Sequence, residues 1–269
     1  MILDISHFFD VDDTTYKDKG IVVYTFKDDL LDDFVSGFVL PFRQAYVSDE
    51  ELNDGINNNV LSNKEEGVKM LLPTKPSLKS GEFAEILLYY ISQCFRCPDI
   101  NIAPLKWRWK ENQDMPCHLT DIVLAKCEDE KNPTKEDYLY FVESKAAAIP
   151  LRKTSKASVF NVGIKGAVND SVSRIGKTIT YLITKYNKEK EYDKARKIKR
   201  FSDSVDTVEY QRYSNAAIVV DSKSLKKHID NITIDNLNKA KKNNISLFAI
   251  PITEMKSLYN RIYDEALKV

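Results

Sequence analysis

The chain has no net charge, few cysteines and histidines, and no long apolar run, and each of these absences excludes something. The 40 basic and 40 acidic residues cancel, which at first argues against a nucleic-acid partner. Without a run of 18 apolar residues, no transmembrane helix is expected. Met1 leads into Asp4 with neither a basic n-region nor an apolar h-region, so no signal peptide is expected and a cytoplasmic location is the default. Four cysteines in 269 residues do not make a disulfide scaffold. Cys94-Phe95-Arg96-Cys97 has half a zinc motif, but Cys117 and Cys127 are too far apart to complete one easily. Three histidines, His7, His118 and His228, leave little material for a histidine-based site; His118 reads as structural rather than as a ligand. Neither repeats nor low-complexity tracts are found.

The zero charge is itself a cancellation. Residues 1–144 hold 15 basic and 27 acidic residues, net −12. Residues 145–200 hold 15 and 4, net +11, and residues 201–269 hold 10 and 9, net +1. The bland account of the basic segment is a solvated helix face; the alternative is a local field that whole-chain charge hides.

Hydrophobic residues make up 43% of the chain, enough for a core. Residues 21–26 read as a buried strand and Asp29 to Phe42 as a helix ending near Pro41. Residues 48–79 read as loop, with one short helix after Ser48. Ser80 reads as the cap of a helix from Gly81 to Cys94. Strands are expected at Ile102–Lys110, Cys117–Cys127 and Asp137–Ala147. An amphipathic helix over 171–187 carries a stripe of Val172, Ile175, Ile179, Leu182, Ile183 and Tyr186. Strands at Ala216–Val220 and Ile245–Ile250 and a terminal helix from Thr253 complete an α/β (α+β) fold on a central mixed sheet flanked by helices. Residues 1–79 read as an acidic N-terminal α/β extension and 80–269 as the main domain.

Side chains alternate along a strand, so Asp121 shares a face with Leu119, Val123 and Ala125. Glu143 and Lys145 likewise share a face with Leu139 and Phe141. Charged residues closing apolar strands need a partner or an ion. A salt bridge is one explanation. A divalent-metal nuclease is another: Mg²⁺ (or Mn²⁺) takes oxygen ligands and keeps waters, so Asp121 and Glu143 suffice with a substrate phosphate. Lys145 would then orient or help deprotonate the attacking water and stabilise charge on the phosphate.

The order helix–strand–strand–strand–helix–strand, with Asp121 and Glu143-Ser144-Lys145, resembles the PD-(D/E)xK nuclease superfamily, whose fold is restriction-endonuclease-like. Thr120 stands where that motif has proline. The resemblance implies a helix glutamate in the metal shell: Glu85, with Glu82 as the alternative. More narrowly, Gly81-Glu82-Phe83-Ala84-Glu85-Ile86-Leu87-Leu88, the Asp strand and Phe141-Val142-Glu143-Ser144-Lys145 are similar to the HamA family, nuclease subunits of the Hachiman anti-phage system. That implies DNA as substrate and a HamB-like helicase as partner. The basic residues Arg152, Lys153, Lys156, Lys165, Arg174 and Lys177 then become candidates for sequence-independent phosphate contacts. No zinc finger or basic zipper suggests sequence reading. Trp107 and Trp109 read as core or as base-stacking rings, and Gly176-Lys177-Thr178 lacks the preceding strand and first glycine of a P-loop. A non-catalytic nucleic-acid or helicase-binding module and a restriction or repair nuclease remain the alternatives. The acidic N-terminal part is expected to dock a partner.

Overall fold

The computed structural model describes residues 4–117, 119–202 and 208–269; the expectation for His118 lies outside them. Six strands form one mixed sheet in the order β1-β2-β6-β5-β4-β3. They are β1 (Phe9–Asp12), β2 (Ile21–Phe26), β3 (Ile122–Lys126), β4 (Tyr138–Ala147), β5 (Gln211–Asp221) and β6 (Ile245–Ile252). The four central strands run parallel, while β1 and β3 are antiparallel edges. The α/β class and the flanked mixed sheet are therefore as the sequence suggested. The N-terminal residues contribute β1 and β2 to this same sheet through pairing of β2 with β6.

The sheet is covered on both faces. On one lie α1 (Leu31–Gln44), α4 (Pro76–Ile91) and α10 (Met255–Ala266), whose Phe38, Phe83, Ile86 and Ile262 pack with Tyr140, Val142, Val219 and Phe248. On the other, α5 (Val159–Asn169) and α9 (Ile234–Lys242) cover β2, β5 and β6. There α6 (Ile175–Lys188) and α7 (Tyr192–Lys199) cover β3 and β4. Strands buried on both faces explain the near-continuous apolar runs of β4 to β6. Among the described residues, no helix is long and apolar enough to cross a membrane.

Several boundaries differ from expectation for identifiable reasons. Helix α1 continues past Pro41 to Gln44. Buried Phe42 and Arg43 anchor its last turn, and the Pro41 carbonyl accepts from the Tyr90 hydroxyl and the Ala45 amide. Packing here outweighs the proline penalty. Helix α4 starts at Pro76, a first-turn proline, rather than after Ser80. The expected strand over Ile102–Lys110 is one bridge, Ile102 with Ala125, followed by a 3₁₀ turn at Lys106–Trp109. Pro104 removes a ladder donor there. The expected strand over Cys117–Cys127 is cut to β3. The helix over 171–187 begins with a π turn, Asp170–Arg174, before α6. Its extra residue rotates Val172 out of the stripe, leaving it 76% exposed.

Between α1 and α4 stand two short helices, α2 (Asp49–Asn57) and α3 (Lys64–Lys69), and between β5 and α9 stands α8 (Leu225–Asp230). Ser48 caps α2 in a full capping box with Glu51. Ser48→Ala should cost about 1 kcal/mol of stability, read by urea unfolding; an unchanged midpoint would show that the box contributes nothing.

Candidate active site

Strands β3 and β4 pair with Ile122 opposite Val142, so one step further along places Asp121 opposite Glu143. The Ser144 amide donates to Asp121 Oδ2 at 2.8 Å, which fixes this carboxylate just before β3 begins. Thr120, in the proline position, ties the segment to α6: its amide and hydroxyl both meet Thr178 Oγ1. Along β4, Glu143 and Lys145 sit on the face covered by α5 and α6. Their neighbours across β5 are Ala216 and Ile218, so no competing charge arises there.

Lys145 Nζ donates to Glu143 Oε1 and to the Ser144 carbonyl, each at 2.7 Å, and lies 3.8 Å from Asp121 Oδ2. Lys106, from the 3₁₀ turn, lies 3.0 Å from Glu85 Oε2 and 3.9 Å from Asp121 Oδ1. Arg174 Nη2 lies 3.7 Å from Glu143 Oε2, and its Nε lies 2.7 Å from Asp170 Oδ1. The charges thus alternate in one row: Glu85, Lys106, Asp121, Lys145, Glu143, Arg174, Asp170.

The structure therefore brings together Glu85, Asp121, Glu143 and Lys145. It does not bring Glu82 there. Glu82 accepts from Tyr46 and Lys110, and Tyr46 in turn meets Tyr263, so Glu82 ties α4 to its surroundings. Trp107 is buried and donates to Glu85, whereas Trp109 packs edge-on to Tyr181 and Tyr186. Of the basic candidates, Arg152, Lys153, Lys156, Lys165 and Lys177 are exposed. Arg174 is instead turned onto Glu143. Sequence reasoning missed Lys106 and Asp170 as members. The available signal for Asp170 was its being one of only four acids in the basic segment.

Burial is the first influence on Glu85, Asp170, Glu143, Lys145 and Lys106. It raises the Glu85 carboxyl to about 7, with the Asp121 charge adding and Lys106 opposing. It raises Asp170 to about 7, with Glu143 adding and Arg174 opposing. Glu143, 4% exposed, is raised by burial and then by Asp121. Burial would depress Lys145 and Lys106, but their carboxylate neighbours outweigh it and hold both above the usual lysine value.

Helix α5 comes very close to this row. A Cβ on Gly166 would lie 2.3 Å from Glu143 Oε1, so only glycine leaves room for the carboxylate.

A family model for HamA matches residues 4–266. The chain belongs to the HamA family. Membership makes it a component of the Hachiman anti-phage system. Comparison with curated proteins gave no match. Within this HamA-family fold, the matched residues span the whole charge row, from Glu85 to Asp170.

The raised carboxyls carry a pH signature. Glu85 and Asp170, each raised to about 7, stand well above the ordinary carboxyl values of 4.5 and 3.8. Their contribution to stability is full below the unfolded values and lost as pH rises through about 7. The melting temperature should therefore fall between about pH 5 and 8, and Glu85→Gln should flatten that fall. The same slope in both proteins would overturn this account.

Proposed function

We propose that this chain is the DNA-cleaving subunit of its Hachiman complex, a Mg²⁺- or Mn²⁺-dependent endonuclease with little sequence specificity that works beside a HamB-like helicase. One observation carries the reading. Asp121 and Glu143 face each other across β3 and β4 around a single cation, Lys145 Nζ.

That ammonium serves as a stand-in for a metal. It gathers two carboxylate oxygens and the Ser144 carbonyl, the hard donors that Mg²⁺ and Mn²⁺ prefer. Glu143 Oε2 is buried without a hydrogen-bond partner. Among the described residues no cluster of three acidic, thiol or imidazole side chains forms a ready metal cage. A site completed by waters and substrate phosphate suits Mg²⁺ under that limit. With all four carboxylates ionised, the row carries four negative and three positive charges. A divalent cation and one phosphodiester would together bring it to neutrality.

Asp121 and Glu143 would hold the ion, with Glu85 supporting them through Lys106. A bound divalent ion supplies charge neutralisation at phosphate and a more acidic water. In the hydrolysis the water oxygen bonds to phosphorus, the bond to one ester oxygen breaks, and that oxygen leaves with a proton. Lys145, beside the same two carboxylates, would orient the attacking water or help deprotonate it, and would stabilise charge on the phosphate oxygens. Arg152, Lys153 and Lys156 in the loop after β4, Lys165 on α5 and Lys177 on α6 would contact the DNA backbone. The acidic N-terminal part, with exposed Asp10, Asp13, Glu50 and Glu65, would dock the helicase.

The test is plasmid cleavage in Mg²⁺ by the chain, alone and with its helicase. Glu143→Ala and Lys145→Ala should each lose about a hundredfold or more in rate. Equal cleavage by wild type and both variants would sink the assignment and favour a non-catalytic DNA- or helicase-binding module, in which the row is only an ion-pair network. Gly166→Ala should behave like Glu143→Ala in this assay while remaining folded by circular dichroism. Full activity in that variant would show that Glu143 need not occupy its observed position.

A further inference from the structure

We infer that Arg174 is the residue that neutralises the scissile phosphate and that Asp170 is the positioning residue that aims it. The inference rests on the nuclease reading above and extends it to the π turn between α5 and α6.

Four residues spaced by four face the site from this helical segment: Gly166, Asp170, Arg174 and Thr178. Gly166 makes room for Glu143. Asp170 grips Arg174, Arg174 reaches Glu143, and Thr178 meets Thr120 next to Asp121. After the π turn, α6 sends Ile175, Ile179 and Leu182 into the core over β3 and β4. The extra residue lets one helical segment serve both demands, and such turns occur often at functional sites.

Asp170 is the costly member. It is fully buried, and neither carboxylate oxygen makes a hydrogen bond of good geometry. Among the described residues Arg174 is the only cation at ion-pair distance from it. A buried ion pair is weak as a stabilising device, because desolvation offsets attraction. Its evident effect is positional: the charge of the carboxylate, 2.7 Å from Nε, draws the Arg174 side chain to this side of the helical segment, next to Glu143.

Arg174 is placed to act on a phosphate. Its side chain is 38% exposed, unlike that of its anchor. Its approach to Glu143 Oε2, at 3.7 Å, is too long for a hydrogen bond, so this contact exchanges readily. With Asp170 paired on the Nε side, the two terminal nitrogens are left for a planar, two-pronged grip on phosphate oxygens. The gain is greatest when negative charge builds on those oxygens during attack.

The experiment uses the chain with its helicase, comparing wild type, Asp170→Asn, Arg174→Gln, Arg174→Lys and the double variant Asp170→Asn/Arg174→Gln. Single-turnover cleavage is measured in Mg²⁺, and duplex binding in Ca²⁺. Arg174→Gln should lose about a hundredfold in rate, with binding within about threefold of wild type. Arg174→Lys, which keeps the charge but not the fork, should recover only part of that rate. Asp170→Asn should lose about tenfold, and the double variant should be no slower than Arg174→Gln alone, because Asp170 acts through Arg174. The double variant leaves no unpaired buried charge, so it remains informative even if a single variant fails to fold. Wild-type rate in Asp170→Asn, or multiplied losses in the double variant, would overturn the inference while leaving the nuclease reading intact. Absence of cleavage by wild type would instead remove that reading first.

Discussion

Each cation in the charge row is shared between two carboxylates, and this sharing ties together elements far apart in sequence. Lys106 joins α4 to the start of β3, Lys145 joins β3 to β4, and Arg174 joins β4 to the π turn. Buried charge is tolerable only when paired. Removing any one cation would leave two acids facing each other, so the row holds only as a whole. Its arrangement also explains the raised carboxyls: three cations serve four acids, and burial favours the neutral form of the remainder. A site with an excess of buried negative charge has an intrinsic preference for a further cation.

The backbone makes this row possible through devices that each break a regular element. Pro104 stops a strand, and the 3₁₀ turn that replaces it swings Lys106 inward. Gly166 lets α5 approach Glu143 where any side chain would collide. The π turn redirects Asp170 and Arg174 without ending the helical segment. Regular elements supply the rigid sheet edge, and irregular ones supply the extra charges. That division suits a site requiring both precise opposition of two carboxylates and cations delivered from several directions.

How much of this was legible follows from the same division. Asp121, Glu143 and Lys145 could be placed because strand alternation has period two, and an acid among apolar neighbours stands out. The same periodicity does not give register, yet the pairing of Ile122 with Val142 places Asp121 opposite Glu143. Glu85 and Glu82 were left as alternatives, because a helix three residues apart presents both on similar faces. Only the positions of Lys106 and Lys110 separate them. Lys106 was hidden by reading Ile102–Lys110 as a strand. Asp170 was hidden because a π turn leaves no periodic mark in sequence, and the stripe was therefore carried one residue too far, through Val172.

The partition of charge takes on a different meaning in three dimensions. The segment 145–200 has net +11, but its cations do not form one uniform field. Lys145 and Arg174 are bound into the row, Arg200 pairs with Asp137, and Arg196 with Glu130. These members neutralise acids contributed largely by the N-terminal segment, so part of the whole-chain cancellation occurs by direct contact. Arg152, Lys153 and Lys156 in the loop after β4, Lys165 on α5 and Lys177 on α6 stay exposed. A polyanion drawn by these exposed cations would still have to meet the buried acids of the row. Long-range attraction and close-range repulsion can coexist only if something neutralises the interior on contact. A divalent ion held by Asp121 and Glu143, as proposed, would do so, and the half-exposed guanidinium of Arg174 lies beside Glu143.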